Sequence, residues 1–195
     1  MERPLNRRIR SCISNLFVWI MPAGLALVIQ SCTVSGLTSD YDQLSKAQQS
    51  QIRPLPAHGT LNPGIIYTVS AGDLLSMLAP DETAIVYLFS PGCNANPAPD
   101  LSDMYAKAIA GGYKFYPVLT GYSGLNRLEP LGSDYFLYVI DDMYYRTPYR
   151  FRYERFFVNE LKGLPKKQKY SRDEDPGTFF LFVRGHFDCL LPEIP

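Results

Sequence analysis

The sequence lacks an excess of charge of either sign, since 19 basic residues balance 19 acidic residues over 195 positions. A neutral chain has no basic surplus to hold the phosphates of a nucleic acid, so we expect no nucleic-acid partner. Charged residues make up only 19% of the chain and hydrophobic residues 46%, which excludes an intrinsically disordered protein. The composition is that of a folded domain with an ordinary hydrophobic core.

Cysteine and histidine are scarce as well. Four cysteines are too few for a disulfide-stapled scaffold. The two histidines, His58 and His186, assemble neither a metal site nor a serine–histidine–acid set with their sequence neighbours. No glycine-rich phosphate-binding motif is present. We therefore expect no metal and no other cofactor.

The longest hydrophobic run, residues 16–29, is too short to cross a membrane as a straight helix. Its 14 residues span about 21 Å, against about 30 Å of bilayer hydrocarbon. Basic residues precede it at Arg3, Arg7, Arg8 and Arg10. A basic start followed by a short hydrophobic centre is typical of a secretory signal peptide.

The run ends in Ile29-Gln30-Ser31-Cys32, which resembles the lipobox of bacterial lipoproteins. The resemblance implies cleavage before Cys32 and a diacylglycerol on its sulfur, so that acyl chains anchor the protein to a membrane. Thr33 rather than aspartate follows, which favours the outer membrane of a bacterial envelope, with the domain facing the periplasm. An uncleaved anchor and an ordinary signal peptide with an incidental cysteine are the alternatives.

The predicted boundaries follow from this processing. Residues 1–31 are expected to be the signal peptide, residues 32–64 a tether with a short helix at 41–52, and residues 65–195 the folded domain. Proline and glycine break regular structure in the second half of the tether. Loss of the signal peptide removes four basic residues and one acidic residue, so the mature chain is expected to be mildly acidic.

Hydrophobic periodicity predicts alternating strands and helices followed by a hairpin. The predicted strands are residues 65–69, 84–89, 113–119, 135–140, 178–183 and 186–191. The predicted helices begin at Ser70, where Asp73 completes a capping box, at Asp100 and at Tyr149. This order predicts a partly parallel α/β sheet with helices on both faces, which the hairpin makes mixed.

Two positions carry specific expectations about the sheet. Pro117 has no amide N–H, so its strand should be an edge strand or contain a bulge. An Arg184-Gly185 turn makes residue 183 pair with 186, so Cys189 should lie opposite Phe180. Alternation along the strand should then turn Cys189 away from His186 and Asp188.

A predicted buried strand ends at Phe89 shortly before Cys93 and a helix, a further strand follows, and Pro176-Gly177 stands just before the hairpin. These three landmarks resemble the thioredoxin-like superfamily. The resemblance covers roughly residues 65–191 and is closest to lipid-anchored envelope proteins of Bacteroidetes-type bacteria. It implies a thioredoxin-like mixed sheet flanked by helices, with a helical and aromatic insertion before the final hairpin. It also implies that Pro176 faces Cys93.

The chain departs from the family at its redox centre. The family's chemistry needs two cysteines in a Cys-x-x-Cys motif, the second of which resolves the mixed disulfide. Here the motif reads Cys93-Asn94-Ala95-Asn96, and the amide of Asn96 cannot attack sulfur. Tyr87 stands where redox-active members of the family have a buried acid.

Two functions remain open on this basis. The first is a binding or accessory module in which the Pro176-Gly177 loop and Asn96 hold a protein or peptide by strand addition. The second is a monothiol thiol–disulfide oxidoreductase that uses Cys93. The alternative for Cys93 itself is an inert cysteine left in a retired active site. A tyrosine-rich insertion provides either core packing or a binding surface. Its tyrosines are Tyr135, Tyr138, Tyr144, Tyr145, Tyr149 and Tyr153.

Overall fold

Strands and helices alternate along the chain in the computed structural model, which describes residues 37–91, 100–128, 135–169 and 179–195. The strands are β1 Ile52–Pro54, β2 Ile66–Val69, β3 Thr83–Phe89, β4 Lys114–Leu119, β5 Leu137–Ile140, β6 Phe179–Val183 and β7 His186–Leu191. The helices are α1 Lys46–Ser50, α2 Ala71–Leu78, α3 Leu101–Ala110, α4 Asp142–Tyr145 and α5 Arg150–Leu161. Short 3-10 turns occur at Tyr41–Gln43 and Leu125–Arg127.

The strands form one mixed sheet in the order β1-β2-β5-β4-β3-β6-β7. The first five strands in this order are parallel, and β6 and β7 add to β3 as an antiparallel hairpin. The predicted α/β class, with a parallel part and a terminal hairpin, is therefore confirmed. Strand β5 lies inside the sheet, where it pairs with both β2 and β4.

Helices cover both faces of the sheet. On one face α2 and α5 pack over a core that includes Leu74, Tyr153 and Phe157, each fully buried. On the other face α3 contributes Leu101 and Ala108 to two smaller clusters. No helix in the described part of the chain has the length and hydrophobicity to span a bilayer.

The capping signals of α2 and α3 are confirmed in detail. Ser70 Oγ accepts a hydrogen bond from the Asp73 amide at 3.2 Å, and Asp73 Oδ2 accepts one from the Ser70 amide at 2.9 Å. Asp100 caps α3 through Oδ1, which accepts from the Asp103 amide at 3.0 Å. Side-chain oxygens thus satisfy amide groups that have no partner inside the helix.

The segment before residue 65 contributes more to the domain than a helix. Within the predicted helix 41–52 the structure has a 3-10 turn, then α1, and Ile52 already begins β1. Ile52 is buried and pairs with Ile66 of β2. This edge strand was not predicted, because three residues that end in a proline give almost no periodic signal.

The expectation that Pro117 marks an edge strand or a bulge is wrong for the strand as a whole. Strand β4 is internal, since Pro117 pairs with Tyr87 of β3 while the ladder to β5 begins one residue later, at Val118. The proline therefore stands where β4 has a paired neighbour on one side only. The missing amide N–H costs the sheet little at that point.

The hairpin and the pairing of residue 183 with 186 are confirmed, but the predicted register farther from the turn is wrong. Arg184 and Gly185 both have positive φ, 51° and 76°, as a type I′ turn requires. A bulge between Leu181 and Phe182 then shifts the pairing, so that Cys189 lies opposite Leu181 rather than Phe180. Asp188 and Cys189 are consequently both exposed, instead of alternating.

Candidate functional site

The residues proposed from the sequence for catalysis, partner binding and lipidation lie outside the described residues. They are Cys93, Asn96, Pro176, Gly177 and Cys32. The strands and helices that flank the first four are described, and they define the environment from which these segments depart.

The strands that flank these segments are neighbours in the sheet. Strands β3 and β6 are antiparallel neighbours, with Tyr87 opposite Phe179. The carboxyl end of β3, which leads to Cys93, therefore lies beside the start of β6, which follows Pro176. Just beyond β3, the Ser90 Oγ is buried and has no hydrogen-bond partner among the residues that the structure describes.

Tyr87 lies beneath this edge. Its ring stacks on Phe89 at 4.9 Å and on Phe179 at 4.5 Å between ring centroids. Burial raises the pKa of the Tyr87 hydroxyl above its ordinary value, so the group stays protonated at neutral pH. A protonated tyrosine at this position cannot accept a proton from a thiol.

Helix α3 begins at Leu101, eight residues after Cys93 in the sequence. The carboxylate of Asp100 caps its amino terminus.

Cys189 is a free and exposed thiol on β7. Slight desolvation and then a hydrogen bond with Asp188 raise the pKa of its thiol. A raised pKa lowers the thiolate fraction and so the nucleophilic reactivity.

The tyrosines of the insertion divide between the two roles considered from the sequence, which are core packing and a binding surface. Four of its tyrosines are at most 7% exposed and belong to the core: Tyr135, Tyr138, Tyr145 and Tyr153. Tyr144 and Tyr149 are about half exposed, at 51% and 47%. Most of the insertion therefore serves packing.

A cavity of about 490 Å³ opens at the carboxyl ends of β1, β2 and β5. Pro54 of β1 and Thr68 of β2 line it, and Asp141 and Asp142 follow β5 directly. Tyr122, from the connection after β4, forms another part of the wall. The remaining lining residues are Ser39, Tyr41, Asp42, Ile52, Arg53 and Met143.

The topology explains why a cavity forms there. The connection after β4 packs on the face covered by α3, whereas β5 leads to α5 on the opposite face. The chain thus diverges between two neighbouring parallel strands, and open α/β sheets bind ligands at such a point.

The cavity wall is tied to the rest of the domain by hydrogen bonds. The Tyr122 amide donates to the Ser39 carbonyl at 2.7 Å, which holds the amino-terminal segment against the β4–β5 connection. Tyr153 Oη donates to the Thr120 carbonyl at 2.7 Å, and Arg150 donates to the Thr120 hydroxyl. The site is therefore built on the core rather than on a free loop.

Tyrosines and carboxylates face one another in this cavity. The rings of Tyr41 and Tyr122 meet edge to face, with centroids 5.3 Å apart. Burial first, and then the carboxylate of Asp142, raises the pKa of Tyr122. Sequence reasoning missed these residues, although polar Asp141 and Asp142 directly after a buried parallel strand are a usable signal.

The fold and the site define a three-layer α/β protein with a mixed sheet and a cavity at its parallel carboxyl edge. Comparison with protein-family models, curated proteins and solved structures finds no match to this chain.

Proposed function

We propose that this chain is a lipid-anchored protein of a bacterial envelope whose thioredoxin-like domain binds a peptide or protein partner without redox turnover. The anchor is the lipidated Cys32, and the binding edge carries Cys93, Asn96, Pro176 and Gly177. One observation supports the absence of redox turnover. Where a dithiol cycle needs a carboxylate, this chain has Tyr87, whose side chain is protonated and stacked on Phe179.

The sequence and the frame of the sheet support the binding role. Asn96 stands where the resolving thiol would be, and an amide cannot attack sulfur. The carboxyl end of β3 lies beside the start of β6, which supports the proposal that the two segments share one end of the sheet. An extended peptide that pairs with backbone beside Pro176 would gain main-chain hydrogen bonds without any reaction at sulfur.

Two assays on the full-length lipoprotein in detergent test this proposal. The first is insulin reduction with dithiothreitol, where we expect the wild type to equal Cys93→Ser and the uncatalysed background. The second is anisotropy with labelled, carboxymethylated insulin B chain, which has no disulfide to reduce. We expect binding that survives Cys93→Ser and weakens in Gly177→Pro, because proline removes a backbone donor.

Cys189→Ser is the matched thiol control, since it removes an exposed cysteine on another strand, β7. Turnover that disappears in Cys93→Ser but not in Cys189→Ser would establish the monothiol oxidoreductase instead. Peptide binding that Gly177→Pro leaves unchanged in a folded protein would refute the binding edge.

A further inference from the structure

We propose that the cavity at the carboxyl ends of β1, β2 and β5 binds a small organic cation, namely a primary amine or guanidine with a compact hydrophobic body. This site is separate from the edge assigned to Cys93 and does not depend on the function proposed for that edge. Its volume of about 490 Å³ lies within the range of roughly 300–1,000 Å³ typical of small-molecule sites.

The charge of the lining selects for a cation. Asp42, Asp141 and Asp142 contribute three carboxylates against the single guanidinium of Arg53. Arg53 Nη1 donates a hydrogen bond to the carbonyl of Ile52 at 3.2 Å. None of the three aspartates forms an ion pair with another described residue. An anionic ligand would face this unneutralised charge at close range.

Tyr122 adds an independent observation. Its side chain lines the cavity, the residue is only 4% exposed, and its hydroxyl makes no hydrogen bond within the described part of the chain. This oxygen is not one of the fully buried polar atoms, so a ligand in the cavity can reach it. An ammonium group offers three donors and no acceptor, so the Tyr122 oxygen can accept from it.

The remaining walls suit the body of such a ligand. The Tyr41 and Tyr122 rings offer faces and edges to a cation or to an aromatic ring. Ile52, Pro54 and Met143 contribute hydrophobic surface. A metal ion is a poorer fit, because the described residues contain no group of three side chains able to hold one.

Calorimetry on the full-length protein in detergent tests the proposal with three probes of similar shape. These are phenethylamine, phenethyl alcohol and 3-phenylpropionate, which are cationic, neutral and anionic. We expect phenethylamine to bind with a dissociation constant of about 1 mM or tighter, which a ligand of this size can reach. The neutral and anionic probes should bind at least about tenfold more weakly, which is about 1.4 kcal/mol.

Two variants locate the binding. Asp142→Asn should weaken phenethylamine by about tenfold, which is about 1.4 kcal/mol, since it removes one counter-charge and leaves the capping Asp141 in place. Asp103→Asn is the matched control, because it also lies in the first turn of a helix but away from the cavity. If Asp142→Asn unfolds, Asp42→Asn, in an exposed 3-10 turn, replaces it.

A lysine side chain presents the same chemistry as a free amine, so a blocked Ala-Lys-Ala peptide is the fourth probe. Binding of the free amine supports the proposal, whether or not the peptide also binds. Binding of the peptide alone, equal binding of the three small probes, or an unchanged affinity in Asp142→Asn would each overturn it.

Discussion

At the scale of single residues, buried tyrosine hydroxyls connect elements that are distant in sequence. Tyr145 Oη donates to Glu160 Oε2 of α5 at 2.8 Å and accepts from the Ala71 amide, at the start of α2, at 3.1 Å. Tyr153 is fully buried and bonds to the Thr120 carbonyl. The Tyr145 hydroxyl thus accepts a hydrogen bond from a backbone amide in the first turn of α2, which has no partner within the helix.

Tyr145→Phe should therefore destabilise the domain although it fills the same volume. The Ala71 amide and the Glu160 carboxylate lose a partner, and a buried group left unpaired costs about 1–3 kcal/mol. Urea unfolding followed by circular dichroism measures the change.

Tyr144→Phe is the control for this prediction, because Tyr144 is the neighbouring residue but is 51% exposed. Its replacement should change the free energy of unfolding by less than about 0.5 kcal/mol. Equal effects of the two substitutions would contradict the role assigned to Tyr145.

At the scale of secondary-structure elements, features set by local sequence were predictable. The Ser70–Asp73 capping box and the Arg184-Gly185 turn depend on residues within one turn of chain, and both are confirmed. The position of Pro117 inside the sheet and the bulge before Phe182 depend on which strands become neighbours. No pattern within a single strand carries that information.

The β6–β7 turn packs closely against α2, and this contact gives a prediction at the same scale. A Cβ added at Gly185 would lie 2.9 Å from the Cα of Ala79, and the glycine also has a φ of 76°. Gly185→Ala should lower the free energy of unfolding by about 2–4 kcal/mol, from left-handed strain and from displacement of backbone.

Gly112→Ala separates these two causes. Gly112 has a similar φ of 79°, but its added Cβ would meet nothing within 4 Å. It should cost only the left-handed strain, about 1–2 kcal/mol. Denaturant midpoints for the two variants measure the difference, and equal losses would show that the Ala79 contact contributes nothing.

At the scale of the whole molecule, the alkaline stability limit follows from the tyrosines. Burial is the main cause that raises the pKa of six of the 14 tyrosines: Tyr87, Tyr116, Tyr122, Tyr138, Tyr145 and Tyr153. Above a pH of about 10 an unfolded chain loses these protons while the folded chain keeps them. The contribution of these tyrosines to stability should be constant below that pH and fall above it, by at most about 1.4 kcal/mol per pH unit for each of them.

A titration of the tyrosinate absorbance measures this directly. The exposed tyrosines should ionise first, and the buried set should ionise only as the circular dichroism signal is lost. The same titration in concentrated guanidinium is the control, where all tyrosines should ionise together. Ionisation of the whole set in one step with the fold intact would refute the prediction.

The class of the fold was predictable from the whole sequence, whereas the cavity was not. Alternating hydrophobic segments determine that strands and helices alternate, and their order determines a mixed sheet. The cavity collects Tyr41, Thr68, Tyr122 and Asp142 from four separate stretches. These residues share no motif, and only the insertion of β5 beside β2 brings them together.

The place of β5 also bears on the order in which the molecule folds. Strand β2 has β1 on one side and β5 on the other. Ile66 of β2 therefore cannot complete its pairing until Leu137 of β5 has been made. Until β5 is available, β1 with β2 and β3 with β4 are two separate ribbons, because β2 and β3 are not neighbours. Joining them requires closure of a long loop, which raises contact order and slows folding. A chain that ends before residue 137 therefore lacks the strand that unites its sheet.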